Sequence, residues 1–186
     1  MAFLRRRCWF FLILLLFFCG PQPLANAADN LTLQEQEVKA GLLYNFLKYT
    51  QWPAPSPSMA VCVYGDDPFE GYLQPIAGRT VNQREISLRM IHAVDETAAC
   101  QLLFLNSSEQ QHWPELQKFL AGKSVLTVSD FDSFAESGGM IEFGRKNDHI
   151  SVKLNMDALL AAHLQVGERL LRLVTVVHPS SLKEGQ

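Results

Sequence analysis

The sequence predicts an α/β fold: a mainly parallel sheet with helices on both faces, followed by a C-terminal β-hairpin and further helices. Three observations carry the prediction. Short apolar runs bounded by turn residues alternate with amphipathic helical patterns, the rhythm of crossover-connected strands. The runs at 59–64 and 102–105 are apolar throughout, as strands covered on both faces are. A further pair of runs near the C-terminus is separated by a tight polar turn.

The elements follow in order. From Gln34 to Tyr49, Val38, Leu42, Phe46 and Tyr49 recur at helical spacing, with Leu43 and Leu47 widening the stripe. Val38, Leu42 and Phe46 are therefore expected in the core. Trp52-Pro53 ends this helix, because proline disfavours the helical region for its predecessor. Met59 to Tyr64 reads as a buried strand, and Gly65-Asp66-Asp67-Pro68 as a turn into a short helix through Leu73, capped by Asp67. Ile86 to Ile91 alternates like a half-buried strand, and Leu102 to Leu105 suits the sheet centre. Pro114 to Leu120 is a helix, Val125 to Val128 a strand, and Phe131 to Ala135 a short helix closed by Gly138-Gly139. Met140 to Phe143 and Ile150 to Leu154 form the hairpin about Lys146-Asn147-Asp148, and Asn155 caps the helix that begins at Met156. Apolar residues continue through Val174 with a break at Gly167, and the chain turns polar after Val177. The result is a Rossmann-like sandwich with its hairpin at one sheet edge.

The N-terminus has the order of a secretory signal. Arg5, Arg6 and Arg7 precede an apolar run from Trp9 to Cys19, then Pro21, Pro23 and the small-residue site Ala25-Asn26-Ala27. Residues 1–27 are therefore expected to leave as a signal peptide, 28–178 to form one domain, and 179–186 to be a flexible tail. An uncleaved anchor is disfavoured, since the run would span only ~17 Å of a ~30 Å hydrocarbon core. Large aromatics before Cys19 argue against a lipoprotein anchor there.

Without the three leader arginines, 13 basic residues face 19 acidic ones, a net charge of −6. Such a balance offers no electrostatic footprint for nucleic acid. Cys62 and Cys100 are the only cysteines left in the mature chain, in an oxidising compartment. A Cys62–Cys100 disulfide is expected; two buried free thiols are the alternative. A catalytic dithiol is not, because the two are far apart in sequence and neither lies in a Cys-x-x-Cys turn.

No motif supports catalysis, a metal or a cofactor. Gly65-Asp66-Asp67-Pro68-Phe69 stands where a dinucleotide fold carries its glycines, but two carboxylates would repel a pyrophosphate. His92, His112, His149, His163 and His178 include no pair at helical metal spacing, and no serine sits in a nucleophile elbow.

The stretch Val38-Lys39-Ala40-Gly41-Leu42-Leu43-Tyr44-Asn45-Phe46-Leu47-Lys48-Tyr49-Thr50-Gln51-Trp52-Pro53 closely resembles the opening signature of the YfiR family. The resemblance continues through Gly65-Asp66-Asp67-Pro68-Phe69, Gly138-Gly139-Met140-Ile141-Glu142-Phe143, Leu154-Asn155 with Ala158, and Leu170-Leu171-Arg172-Leu173. It implies a periplasmic repressor that binds the periplasmic part of a membrane-bound diguanylate cyclase, in a system whose outer-membrane lipoprotein can titrate the repressor away. Cyclic di-GMP signalling and biofilm formation would be the processes controlled. A small-ligand-binding sensor module for another membrane receptor is the alternative. His163-Leu164 departs from the family's Gly-Leu, and Gly167-Glu168 from its Ser-Ser cap; histidine tolerates a left-handed backbone and glycine caps weakly.

The candidate partner contacts are Tyr44, Tyr49 and Trp52, whose aromatic area exceeds what a single apolar stripe needs. Trp52 fits either the core or an exposed contact. The stripe from Leu170 to Val177 fits either the core or a dimer seam, and a homodimer follows if both stripes share a face.

Overall fold

The computed structural model describes residues 26–54, 56, 58–147 and 149–179, with side chains from Leu33 onward. Residues 1–25 of the leader expected over 1–27, and residues 180–186 of the tail expected over 179–186, lie outside the described residues. Contacts divide the chain after Thr32, and the unit Leu33–Gln186 carries the sheet. None of the described helices is long and apolar enough to cross a membrane.

Helix α1 runs Asn26–Tyr49 and leads straight into β1 (Thr50–Gln51). The strands β2 (Met59–Tyr64), β3 (Thr80–Val81), β4 (Arg84–Ile91), β5 (Leu102–Leu105) and β6 (Leu126–Ser129) follow, with α2 (Trp113–Leu120) between the last two. Then come β7 (Ile141–Lys146), β8 (His149–Asn155), α3 (Met156–Ala161), β9 (Gln165–Val166), α4 (Glu168–Leu171) and β10 (Thr175–Val177). The main sheet has eight strands in the order β10-β8-β7-β6-β5-β2-β4-β3. Pairing is parallel except for the hairpins β7–β8 and β3–β4. β1 and β9 form a separate antiparallel pair, Thr50 opposite Val166.

Side-chain alternation sorts each buried strand between two cores. On one face Met59, Val61, Val63, Leu102, Phe104 and Ile141 meet Leu43, Phe46 and Leu47 of α1. On the other, Cys62, Tyr64, Leu103 and Leu105 meet Trp113, Leu116 and Leu120 of α2. The α/β sandwich and its mostly parallel sheet are thus as the sequence predicts.

Several elements differ from expectation. Val38 is 46% exposed and Leu42 half-buried; the inward stripe of α1 is Ala40, Leu43, Phe46 and Leu47, rotated from the expected one. The segment after Pro68 forms turns and a 3₁₀ turn at Gln74–Ile76 rather than a helix. Glu70 and Gly71 both have positive φ there, 49° and 86°, which no right-handed helix admits. Asp67 caps these turns, accepting from the backbone N–H of Phe69 at 2.8 Å and of Gly71 at 3.2 Å. Residues 131–137 form turns as well, broken by Ser133 at φ 63°. The C-terminal hairpin is not the sheet edge, because β10 adds a parallel strand outside β8. Its turn is as expected: Lys146 faces His149, and Asn147 takes φ 48°.

Candidate functional site

The last turns of α1 and the segment that follows hold the three aromatic candidates. With Leu43 inward, successive 100° steps place Tyr44 on one flank of the helix and Tyr49 on the other. Both are half-buried against the core. The Arg79 guanidinium lies 5.7 Å from the Tyr44 ring centroid. Tyr49 carries two cations, Lys48 at 5.5 Å and Arg169 at 5.9 Å. Such contacts hold a cation over an aromatic face and are worth roughly 0.5–1 kcal/mol at exposed sites. The Gly167 N–H donates to the Tyr49 carbonyl, which ties α4 and its Arg169 to the end of α1.

Between the two tyrosines runs the outward face of α1. Gln34, Glu37, Val38, Gly41 and Lys48 are exposed and Asn45 half-buried. Gly41 lies mid-helix with φ on the ordinary negative side, and a Cβ there would meet nothing within 4 Å. Glycine in that setting costs roughly 0.5–1 kcal/mol relative to alanine. Neither the backbone nor the packing of this chain requires it.

Trp52 is half-buried, with its ring against the α1-side core. Its indole nitrogen is buried and finds no hydrogen-bond acceptor among the described residues. The ring also borders an open groove of about 580 Å³ that Pro53, Ala54, Ser56, Asn82, Gln83 and Arg84 complete. Asn82 and Gln83 form the β3–β4 turn with φ of 51° and 64°, the primed geometry of a two-residue hairpin loop. Trp52 therefore packs against the core and also borders the groove.

Two ionic clusters brace this frame. Lys39 is 6% exposed and reaches Glu35 and Asp130, each at 3.0 Å, pinning α1 to the end of β6. Burial pushes the Glu35 carboxyl up, but hydrogen bonds and charge from Lys39 and Arg145 outweigh it and hold the group below its ordinary value. Lys153 bridges Glu136 and the buried Glu142, both at 2.9 Å. The hydrogen bond from Lys153 holds Glu136 low, and its bonds to Glu136 and Glu142 hold Lys153 high. Glu142 also accepts the Ala135 N–H, so the cluster fixes the segment between β6 and β7. The sequence pattern marks neither Lys39, which the expected stripe leaves outward, nor its partner Asp130, 91 residues away.

The disulfide is present, joining Cys62 of β2 to Cys100 just before β5 across a Cα separation of 5.9 Å. Strand order reverses between β2 and β5, the point where open α/β sheets usually take ligands. Here the chain's own side chains span that crevice. A Cβ on Gly65 would lie 2.6 Å from Cγ of Glu109, and Asn106 donates to the Asp66 carbonyl at 3.2 Å. Among the described residues no group of three or more His, Cys, Asp or Glu side chains could hold a metal ion.

Among solved structures, the fold is similar to the ABC domain from Streptococcus pneumonia in complex with L-Trp, with a TM-score of 0.50 and 8% sequence identity. The alignment covers 77% of this chain and 60% of that one, so this chain spans about 60% of the length of that relative. The likeness is one of fold. A family model described as YfiR/HmsC-like matches residues 36–175, from the middle of α1 to the start of β10, and the chain belongs to that family.

Proposed function

We propose that this protein is exported to the periplasm and there represses a membrane-bound diguanylate cyclase by binding its periplasmic part, restraining cyclic di-GMP signalling and biofilm formation. The single observation that carries the reading is membership in the YfiR/HmsC-like family over 36–175, which supports a periplasmic regulator of a diguanylate cyclase. The site chemistry agrees with binding. Tyr44 and Tyr49 near the end of α1 and Trp52 just after β1 are half-buried, and such large rings supply contact area at little rotamer entropy. No reaction is assigned to the chain, and an outer-membrane lipoprotein would act by competing for the same repressor.

A small-ligand sensor is the second reading, favoured by the groove beside Trp52. Its lining includes one aromatic ring and is open to solvent along its length, unlike the enclosed apolar sites typical of small ligands. That geometry suits a protein contact better.

The test is co-purification. Protein isolated from its native host should begin at Ala28 by mass spectrometry and should retain the detergent-solubilised, full-length cyclase encoded in the same genome. An intact chain from Met1 in the membrane fraction rejects the cleavable signal peptide. Failure to retain any of the host's membrane diguanylate cyclases rejects the binding reading.

A further inference from the structure

We infer that the outward face of α1, from Gln34 to Lys48, is a docking seam for an acidic α-helix of the partner. The inference rests on the reading that the protein works by binding, and it names the surface and the chemistry that surface takes. Residues 34, 38, 41, 45 and 48 stand at alternating steps of four and three and so share one face of the helix. None of the five is buried, although the opposite face of the same helix is fully packed.

Three features make this face more than a solvated one. Gly41 occupies its centre with open space around it, and glycine on a helix face lets a second backbone approach closely. Val38, one turn earlier, is among the large apolar side chains left exposed. Tyr44 and Tyr49 bound the seam on its two sides, and each holds an arginine, Arg79 and Arg169, with Lys48 between them.

The charges choose the occupant. A chain with net charge −6 after its leader places three cations around the C-terminal half of this seam. Glu37 stands at the other end of the seam, Glu168 adjoins Arg169 in sequence, and Glu35 is already engaged by Lys39 and Arg145. A helix bearing carboxylates over its stretch facing Arg79, Lys48 and Arg169 complements this pattern; a basic helix is repelled.

Two arms test the seam. In the first, wild-type, Gly41→Ala, Gly41→Leu and the double variant Arg79→Glu/Arg169→Glu are titrated against the detergent-solubilised cyclase. Gly41→Leu should weaken binding at least tenfold without lowering the melting temperature, since its side chain enters open space. Gly41→Ala should weaken it less than threefold while raising the melting temperature. The double variant should lose both affinity and its salt dependence. Wild-type affinity in Gly41→Leu overturns the seam and leaves regulation by binding intact. In the second arm, the ¹⁵N-labelled mature protein is titrated with a synthetic helical Ala/Leu/Glu peptide and its Lys-for-Glu counterpart. Amide shifts centred on Val38–Lys48 with the glutamate peptide alone support the seam. Their absence at millimolar peptide overturns it, including in the case where wild-type protein binds no cyclase and the proposed function itself fails.

Discussion

At the scale of single residues, Asn155 joins two parts of the chain that would otherwise leave backbone groups unpaired. Its side-chain oxygen accepts the Ala158 N–H at 3.0 Å, capping α3, while its amide donates to the Ala135 carbonyl at 2.7 Å in a buried setting. Asn155→Ala removes the cap and strands a buried carbonyl, and should cost about 2–4 kcal/mol in urea unfolding. Asn155→Asp keeps the cap but loses the donor, so it should not restore full stability. Trp52 gives the opposite expectation. Trp52→Phe keeps most of the ring against the core and removes a buried N–H that has no acceptor among the described residues, so the urea midpoint should hold or rise. Trp52→Ala should de-repress the cyclase while costing less than the ~3–5 kcal/mol of a fully buried aromatic. A loss in that higher range makes Trp52 a core residue first, and wild-type repression by a stable Ala variant removes it from the contact.

At the scale of elements, the disulfide and the ionic clusters set how stability responds to conditions. Cys62–Cys100 closes a 38-residue separation, for which loop-closure entropy gives about 4 kcal/mol. Dithiothreitol, or the Cys62→Ala/Cys100→Ala pair, should lower the unfolding free energy by an amount near that. Glu35 and Glu136 have folded pKa values below the ordinary carboxylate range, so they bind fewer protons folded than unfolded near pH ~4.3. Their contribution is present in full above that pH and is lost as pH falls through the folded values. Urea midpoints should therefore decline below pH ~4.3, and Glu35→Gln with Glu136→Gln should flatten that decline. Lys153 has the reverse sign: its folded pKa is raised, so its contribution is lost only as pH climbs past ~10.4 and through the folded value.

These elements also show what the sequence made legible. The strands β2 and β5 were read from uninterrupted apolar runs, and the Asn155 cap and the Asn147 turn from local chemistry. His163 at φ 57° and Gly167 as the start of α4 follow from the two departures from the family pattern. The sequence places the first helix but not its inward face, because Val38 and Leu42 fit the period as well as Ala40 and Leu43 do. Apolar residues on both faces leave the period unchanged, and only the sheet decides which face turns inward. The short pairs β1–β9 and β3–β4, the strand β10 and the cations over Tyr44 and Tyr49 depend on partners distant in sequence, and no local signal marks them.

At the scale of the whole molecule, the chain's own side chains occupy the sheet crevice at which open α/β folds usually take ligands. Glu109 and Asn106 span the crevice between β2 and β5, while the half-buried tyrosines and the glycine-centred face of α1 lie on a helix one layer away from the sheet. The proposed repression by binding requires recognition on a surface such as this one rather than in a cavity. The most direct test is the cyclic di-GMP content of the native host with this gene deleted, complemented, and deleted together with the membrane cyclase. Deletion should raise cyclic di-GMP several-fold, the wild-type gene should return it to the starting level, and loss of the cyclase should abolish the rise. An unchanged level on deletion, or a rise that persists in the absence of every membrane-bound cyclase, contradicts the account.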